Sequence, residues 1–576
     1  MDGKAKPGES KVEVAKRNGR QLRGTIAQTL ASDATHFGHD DVHLLKFHGT
    51  YQQDDRDARR AREEDEEKAF SFMIRVGLPA GVLTAERYLA FDELADRYAN
   101  GTLRVTTRQG FQFHGVLKRD LKPTIAGINH RLATTLAACG DVRRNVMGCP
   151  APLPDPAHRA VRDAAYRIAA LLRPASRAYH EIWLDGEQQV STEPEEPFYG
   201  DRYLPRKFKI AVGLASDNCV DIYSHDVGLV AVVDDGRVEG FEVLVGGGLG
   251  MTHGKGDTQA RLAEPLGFVG AEDAAEAART VAAIFRDHGN RADRRHARLK
   301  YLLGAWGIER FREEFRRRAA FELGESRPLP APVFQDHLGR HRQDADRWFY
   351  GVFIQSGRIV DGPGHRFKSA LRAIVEQHRP GLTLTPQQNL LFTDLHARAL
   401  GSIEETLQAH GVIPAPSLAA ARRFSMACPA LPTCGLAVAE SERVIPGLLD
   451  QFEEALTELG LREAPITIRM TGCPNGCARP YTADLAFVGR SLDLYNVYVG
   501  GSLAGDRLAD LYRADIRTDD LLPALLPLLA RWAGERNPGE GLGDFYQRAM
   551  GNPEKRVAIT GRESPTADLV QLGVVR

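Results

Sequence analysis

Leu103-Arg104-Val105-Thr106-Thr107-Arg108-Gln109-Gly110-Phe111-Gln112-Phe113 can be laid without a gap over Leu382-Thr383-Leu384-Thr385-Pro386-Gln387-Gln388-Asn389-Leu390-Leu391-Phe392. Both stretches alternate like strands. Each follows a segment of helical apolar periodicity, residues 85–98 in the first instance and 366–377 in the second. Farther on, Leu244-Val245-Gly246-Gly247-Gly248-Leu249 is echoed by Tyr498-Val499-Gly500-Gly501-Ser502-Leu503. An internal duplication accounts for these matches, and a ligand between pseudo-symmetric halves is the natural expectation. Arg327-Pro328-Leu329-Pro330-Ala331-Pro332 and the polar residues up to Asp346 read as the linker between the halves.

The two copies differ in chemistry. Arg104 and Arg108 become Thr383 and Gln387 in the second copy. Cys428 and Cys434, then Cys473 and Cys477, form two pairs in the second half. They have no counterpart pattern in the first, where Cys149 stands alone near the position of Cys428. One half therefore reads as anion-binding and the other as metal-binding.

Four thiolates brought together suit zinc or an iron–sulfur cluster. Between the pairs, Leu448, Leu449, Phe452, Ala455, Leu456 and Leu459 line one helical face, which Gly460 can end. Ile466, Ile468 and Met470 then alternate as a strand running into Cys473. Zinc knuckles prefer shorter spacings than the C-x5-C of Cys428 and Cys434. Cys-Pro, found at Cys428 and Cys473, is familiar beside cluster ligands. A four-iron cluster is the favoured reading, with zinc or unliganded core cysteines as alternatives.

The basic residues gather in the first half: Arg75, Arg104, Arg108, Arg143, Arg144, Arg206, Lys207 and Lys209. Even spacing puts Arg104 and Arg108 on one strand face, and likewise Lys207 and Lys209. Any one of them alone reads as a solvated side chain. Together they suit a polyanion, because guanidinium forks pair bidentately with oxyanions. The glycine runs lack the pattern of a nucleotide loop and read as tight turns or close backbone approach. His114 reads as a structural, hydrogen-bonded histidine.

The chain has 576 residues, 43% hydrophobic and 26% charged, a soluble globular balance with ample core. Net charge is −1, so no global basic surface points to nucleic acid or anionic membrane. Seven cysteines are too few and odd in number for a disulfide framework. The opening MDGKAKPGES has no secretory apolar region, and residues up to about Arg20 read as polar and loosely ordered. Residues 54–68 alternate in charge like a solvated helix or loop. No run reaches the length of a membrane span; the apolar stretch 521–532 is too short. A reducing cytoplasm is the expected location.

These motifs, with His43-Leu44-Leu45-Lys46, His48-Gly49-Thr50-Tyr51-Gln52-Gln53-Asp54-Asp55-Arg56-Asp57, Leu204-Pro205-Arg206-Lys207-Phe208-Lys209 and Gly541-Leu542-Gly543-Asp544-Phe545, resemble the sirohaem-containing sulfite and nitrite reductases over most of the chain. Within that family the resemblance is to the assimilatory sulfite reductase haemoproteins. It implies a three-domain, pseudo-twofold α/β fold with mixed sheets and one sirohaem at the junction. The implied organisation is an N-terminal wrapping segment (1–69), a first ferredoxin-like half-repeat (70–150), a first sirohaem-binding half (151–330), a linker (331–345), a second half-repeat (346–420), and a cluster- and sirohaem-binding half (421–576). Cys428, Cys434, Cys473 and Cys477 would hold one [4Fe–4S] cluster, and Cys477 would also be the axial ligand of the haem iron. Arg75, Arg144, Lys207 and Lys209 match residues facing sulfite, while Arg104 and Arg108 match those near the haem carboxylates.

The implied activity is six-electron reduction of sulfite to sulfide in sulfate assimilation and cysteine biosynthesis. Electrons would come from an NADPH-oxidising flavoprotein subunit or from ferredoxin, since no flavin or nicotinamide segment is visible. The length and start of the chain incline to the flavoprotein. Some relatives cross-link a cysteine placed like Cys139 to a tyrosine, here Tyr51. The rival readings are nitrite reduction to ammonia on the same architecture, a pure iron–sulfur electron carrier, and, more distantly, a structural zinc protein.

Overall fold

The duplication takes the form of two five-stranded sheets that exchange an edge strand. In the computed structural model, which describes residues 9–63, 66–184 and 195–551, the first sheet runs Thr50–Asp54, Phe70–Arg75, Phe111–Val116, Leu103–Val105 and finally Arg358–Ile359. The second runs Gly339–Arg342, Arg347–Val352, Leu390–His396, Gly381–Leu384 and finally Val82–Leu83. The last strand of each comes from the other copy. Arg358 pairs with Arg104, and Val82 pairs with Thr383.

The exchange rests on matched turns. Ala80 and Ser356 both adopt left-handed backbone, at φ 52° and 53°, just before Gly81 and Gly357 at φ 77° and 74°. A Cβ on Gly81 would strike the carbonyl of Leu384, and one on Gly357 that of Val105. Gln109 donates to the carbonyls of Leu384 (3.0 Å), Gly148 (2.9 Å) and Ala80 (3.1 Å), while its counterpart Gln388 donates to Ser356 (3.1 Å). Ala85–Tyr98 and Phe367–His378 form the two helices expected from the sequence. Thr84 caps the first by accepting from Arg87 N, and Tyr88, Phe91 and Ala95 bury one face. Burying Phe91 alone contributes about 1.5–3 kcal/mol.

Two further sheets repeat one another. Ile210–Gly213, Val227–Asp234, Arg237–Val245 and Glu264–Gly270 are matched by Ile468–Thr471, Leu485–Ser491, Leu494–Val499 and Asp510–Arg517, with Met426–Ala427 added at the edge of the second. In each, the first two of the matched strands pair in parallel and the rest antiparallel. Gly246 and Gly500 take φ 86° and 102° at equivalent strand ends, their amides bonded to the carbonyls of Asp226 and Asp484. The glycine runs thus serve close backbone approach: a Cβ on Gly247 or Gly501 would strike neighbouring carbonyls.

Three expectations are corrected. Residues 11–18 are not loose but form the helix Lys11–Asn18, with Val12 and Ala15 buried. The Lys16 ammonium is buried beside the carboxylates of Glu13 and Asp141 and donates to Leu204 O at 2.9 Å. Asp141 and Leu204 lie far along the chain, so local polarity could not reveal them. Within the charged run, whose residues 64 and 65 lie outside the described residues, Arg56–Ala61 is a helix capped by Asp55. Arg56 leaves solvent to donate to Ala437 O at 2.8 Å, on the cysteine-bearing loop. Arg104 and Arg108 do not share a strand face, because the strand ends at Val105 and Arg108 lies in the following turn.

The halves are also joined by one buried ion cluster. Asp221 Oδ2 accepts from Arg469 Nη1 at 2.9 Å and from Arg479 Nε. Burial alone would raise this carboxyl, but the two guanidiniums hold it below its ordinary value. Among the described residues, no helix is long and apolar enough to cross a membrane.

Gly81→Ala and Gly357→Ala should each lower the thermal midpoint, at a cost of about 2–4 kcal/mol from strain and steric conflict. Gly534→Ala, in open space on the helix Leu521–Glu535, should be neutral or stabilising by up to about 1 kcal/mol. Asp221→Asn should cost about 3–5 kcal/mol in chemical unfolding, since it leaves two buried guanidiniums without their counter-charge.

Candidate functional site

Each cysteine is placed by the backbone around it. Cys428 directly follows the edge strand Met426–Ala427, with its amide bonded to Met470 O at 3.2 Å. Its sulfur accepts from Gly472 N at 3.4 Å. Cys434 is held by its amide on Ala430 O at 2.9 Å. Cys473 lies two residues beyond the strand Ile468–Thr471, and its sulfur accepts from Asn475 Nδ2 at 3.4 Å. The loop they form docks on the glycine run of the other half through Met251 N and Pro474 O, 2.9 Å apart. Cys428 and Cys473 are buried, Cys434 is half-buried, and Cys477 is exposed.

Burial and the neighbouring Cys477 charge raise the thiols of Cys428 and Cys473, the latter to about 12, and the same pair of causes raises Cys434. The four sulfurs therefore lie within electrostatic reach of one another and disfavour bare thiolates. Metal ions supply the missing positive charge. Zinc–sulfur bonds of about 2.3 Å would hold tetrahedral sulfurs about 3.8 Å apart. Among the described residues, no three of these four sulfurs lie mutually within 4.8 Å. That wider spread, together with an all-thiol donor set, fits a multi-iron cluster and not mononuclear zinc.

The basic residues face the same place from the first half. Arg75, at the end of the strand Phe70–Arg75, reaches Cys139 Sγ with Nη1 at 3.0 Å, and its guanidinium lies 5.9 Å from the Tyr51 ring centre. Arg144 Nε is held on Gly140 O at 2.9 Å, and its guanidinium lies within electrostatic reach of Tyr51. Burial and the neighbouring Cys139 raise the Tyr51 hydroxyl above its ordinary value. Arg108 Nη2 bonds Asn145 O at 2.6 Å, while its Nε is buried without a partner. Arg104 bonds Ala427 O at 2.8 Å, immediately before Cys428, and pairs with Glu442 at 3.3 Å. Arg143, by contrast, turns away to Ala169 O at 2.6 Å.

Lys207 and Lys209 lie in an extended segment anchored by Phe208 against Arg143 and by Lys209 N on Asp226 at 2.8 Å. Burial and the nearby Arg298 and Arg206 charges lower Lys207 to about 7. Lys209 is pushed well below its ordinary value by burial, Lys207 and Arg298. Arg108 is lowered to about 9 by burial and Arg144. Such mutual repulsion marks a site built for several negative charges, which fits a polycarboxylate cofactor and a small dianion. The cysteines touch this field at Cys477, whose charge is felt by Lys207, Lys209 and Arg104.

Reading the sequence missed Arg298, buried against Asp226 at 2.8 Å, and Lys46, whose ammonium lies 5.8 Å from the Tyr51 ring centre. It also missed Arg479. Lys46 had a visible signal in the family-like stretch His43-Leu44-Leu45-Lys46, and Arg479 in its position two residues after Cys477.

Comparison with known proteins finds similarity along most of the chain. The nitrite and sulphite reductase 4Fe-4S domain matches residues 164–323, and the nitrite/sulfite reductase ferredoxin-like half domain matches residues 64–130 and 340–410. The first of these segments contains Cys219 as its only cysteine, so the match falls on the copy without the four clustered thiols. The chain is 46% identical over 546 residues to a sulfite reductase [NADPH] hemoprotein beta-component of Geobacillus kaustophilus, covering 94% of this chain and 95% of that one. It is also 46% identical over 559 residues to a sulfite reductase [ferredoxin] of Synechococcus elongatus, covering 94% and 89%. The solved NirA protein of Mycobacterium tuberculosis shares the fold, with a TM-score of 0.76 at 24% identity over 94% of this chain and 96% of that one. With matching domains in both repeats and similarity along nearly its whole length, this chain belongs to the nitrite and sulphite reductase family.

Proposed function

We propose that the protein is the haemoprotein component of a sulfite reductase, taking sulfite to sulfide with six electrons from a separate donor protein. The observation that carries this reading is the meeting of two unlike sites at Cys477. A thiolate there would lie within electrostatic reach of the other cysteines on one side and of Lys207 and Lys209 on the other. A pure electron carrier has no use for that cationic field. Relatives of equal identity bear NADPH and ferredoxin in their names, and sulfite is common to both. The donor is therefore an NADPH-oxidising flavoprotein or a ferredoxin, and reconstitution with each decides between them.

In this reading Cys428, Cys434, Cys473 and Cys477 hold a [4Fe–4S] cluster, Cys477 also ligates sirohaem iron, and Arg104 and Arg108 take the sirohaem carboxylates. Once held there, the two groups would supply the redox and Lewis-acid chemistry that the side chains lack. The chain supplies charge, orientation and protons. Arg75, Arg144, Lys207 and Lys209 bind the dianion and stabilise charge developing on its oxygens. Lys207, with its ammonium near pKa 7, can give and regain a proton at neutral pH. Tyr51 and Cys139, both beside Arg75, are the pair that would be cross-linked. Peptide mapping that finds both side chains unmodified rejects the link.

Lys207→Met should keep haem and cluster absorption while losing about 100-fold or more in sulfite turnover; normal turnover removes Lys207 from the mechanism. Sulfite should exceed nitrite in kcat/KM on the same preparation, and the reverse order would make the enzyme a nitrite reductase. Cys477→Ala should disturb both the haem and the cluster spectra, whereas a change confined to one centre would refute the shared ligand.

A further inference from the structure

A second group of metal-binding side chains lies apart from the sulfite site. The donor atoms of Cys149, Asp217, Cys219 and His337 all lie within 4.8 Å of one another; the first three residues are buried and His337 is half-buried. Cys149 Sγ donates to Asp217 Oδ2 at 2.9 Å, and His337 Nε2 meets the same oxygen at 2.9 Å. Two acids at such a distance, out of water, need a shared proton, an imidazolium at His337 or a metal ion beside them.

Pseudo-symmetry gives this group an independent meaning. Met147 bridges Ala211 in the first half as Met426 pairs with Arg469 in the second, and Cys149 and Cys428 each follow two residues later. Cys219 stands nine residues after Ile210, and Cys477 nine after Ile468, the first residues of the matched strands. Asp221 and Arg479, both left-handed at φ 49° and 52°, then open matching turns, Ile222–Ser224 and Pro480–Thr482. Cys149 therefore does not stand alone. It and Cys219 occupy the places that Cys428 and Cys477 hold in the other copy. Ala215 stands where Cys473 would be, and Asp217 and His337 bring ligand atoms of other kinds.

We propose that Cys149, Asp217, Cys219 and His337 bind a structural zinc ion. Two thiolates, a carboxylate and an imidazole complete a closed tetrahedral shell with no position left for substrate. Binding releases the two thiol protons and replaces the shared-proton contact between Cys149 and Asp217. His337 belongs to the connection between the halves. The same connection is bonded to the Asp217 loop through Val333 N to Ala215 O at 2.8 Å and Asn218 N to Val333 O at 2.7 Å. The ion would pin that connection to the first half.

The test is metal analysis with zinc K-edge absorption on full-length holoenzyme produced with zinc and purified without chelating resin. The expected result is about one zinc per chain, with two sulfurs near about 2.3 Å and two nitrogen or oxygen ligands near about 2.0 Å. His337→Ala and Cys219→Ser should lose most of the zinc while retaining iron. Iron-replete enzyme without zinc overturns the proposal. So does a four-sulfur shell, which would put zinc among the cluster cysteines, or a Cys149–Cys219 disulfide in peptide mapping. The spectrum of the unmodified enzyme decides even where a variant fails to fold.

Discussion

The Arg479 guanidinium, held by Asp221, is the contact on which the junction depends. Its Nη1 donates to Thr107 O and its Nη2 to Pro386 O, both at 2.9 Å. Those two carbonyls are equivalent positions in the gapless repeat, so one fork reads both copies at the pseudo-twofold axis. Nε completes the set on Asp221, which also holds Arg469 from the strand leading to Cys473. A rigid planar donor suits this task, because three directions are fixed by one side chain. The same contact places Cys477, two residues away, against the Thr107 hydroxyl, which donates to its carbonyl at 2.9 Å.

From this centre the two chemistries are arranged by complementarity of charge. The first half crowds Arg108, Arg144, Lys207, Lys209 and Arg298 until burial and mutual repulsion depress several of them. The second half gathers thiols whose ionised forms are disfavoured by burial and by one another. Each arrangement is costly alone. Anionic ligands relieve the first, and metal cations relieve the second. The apolar core around them supplies the stability that such sites consume.

Much of this was legible in the sequence because it was local or repeated. The strand-forming repeat, its preceding helices and the helix over 445–458 followed from periodicity, and the cysteine spacing by itself pointed to a cluster. What escaped depended on contacts across long separations. Lys16 is read as a solvated lysine until Asp141 and Leu204 close over it. Arg298 has no motif, and only packing against Asp226 brings it to the lysines. Cys219 was hidden for another reason. The repeat around Cys149 and Cys428 and the repeat around Cys219 and Cys477 are offset by different numbers of residues, so a single gapless alignment cannot bring both pairs into register.

That offset bears on how the halves diverged. A duplicated fold presents two equivalent loops beyond two equivalent strands, at Ile210–Gly213 and at Ile468–Thr471. In one, the candidate ligands are all thiols, and Cys477 is exposed. In the other, two of the equivalent positions keep cysteine while Asp217 and His337 join them in a shell that is mostly buried. Hard and borderline donors close a site that soft donors leave open to redox chemistry. A buried closed shell beside the inter-half connection would hold geometry, whereas a cluster on the thiol set beside Lys207 would exchange electrons. The same backbone supports both because its strands and left-handed turns at Asp221 and Arg479 fix where side chains begin, and the residue types alone decide what they bind.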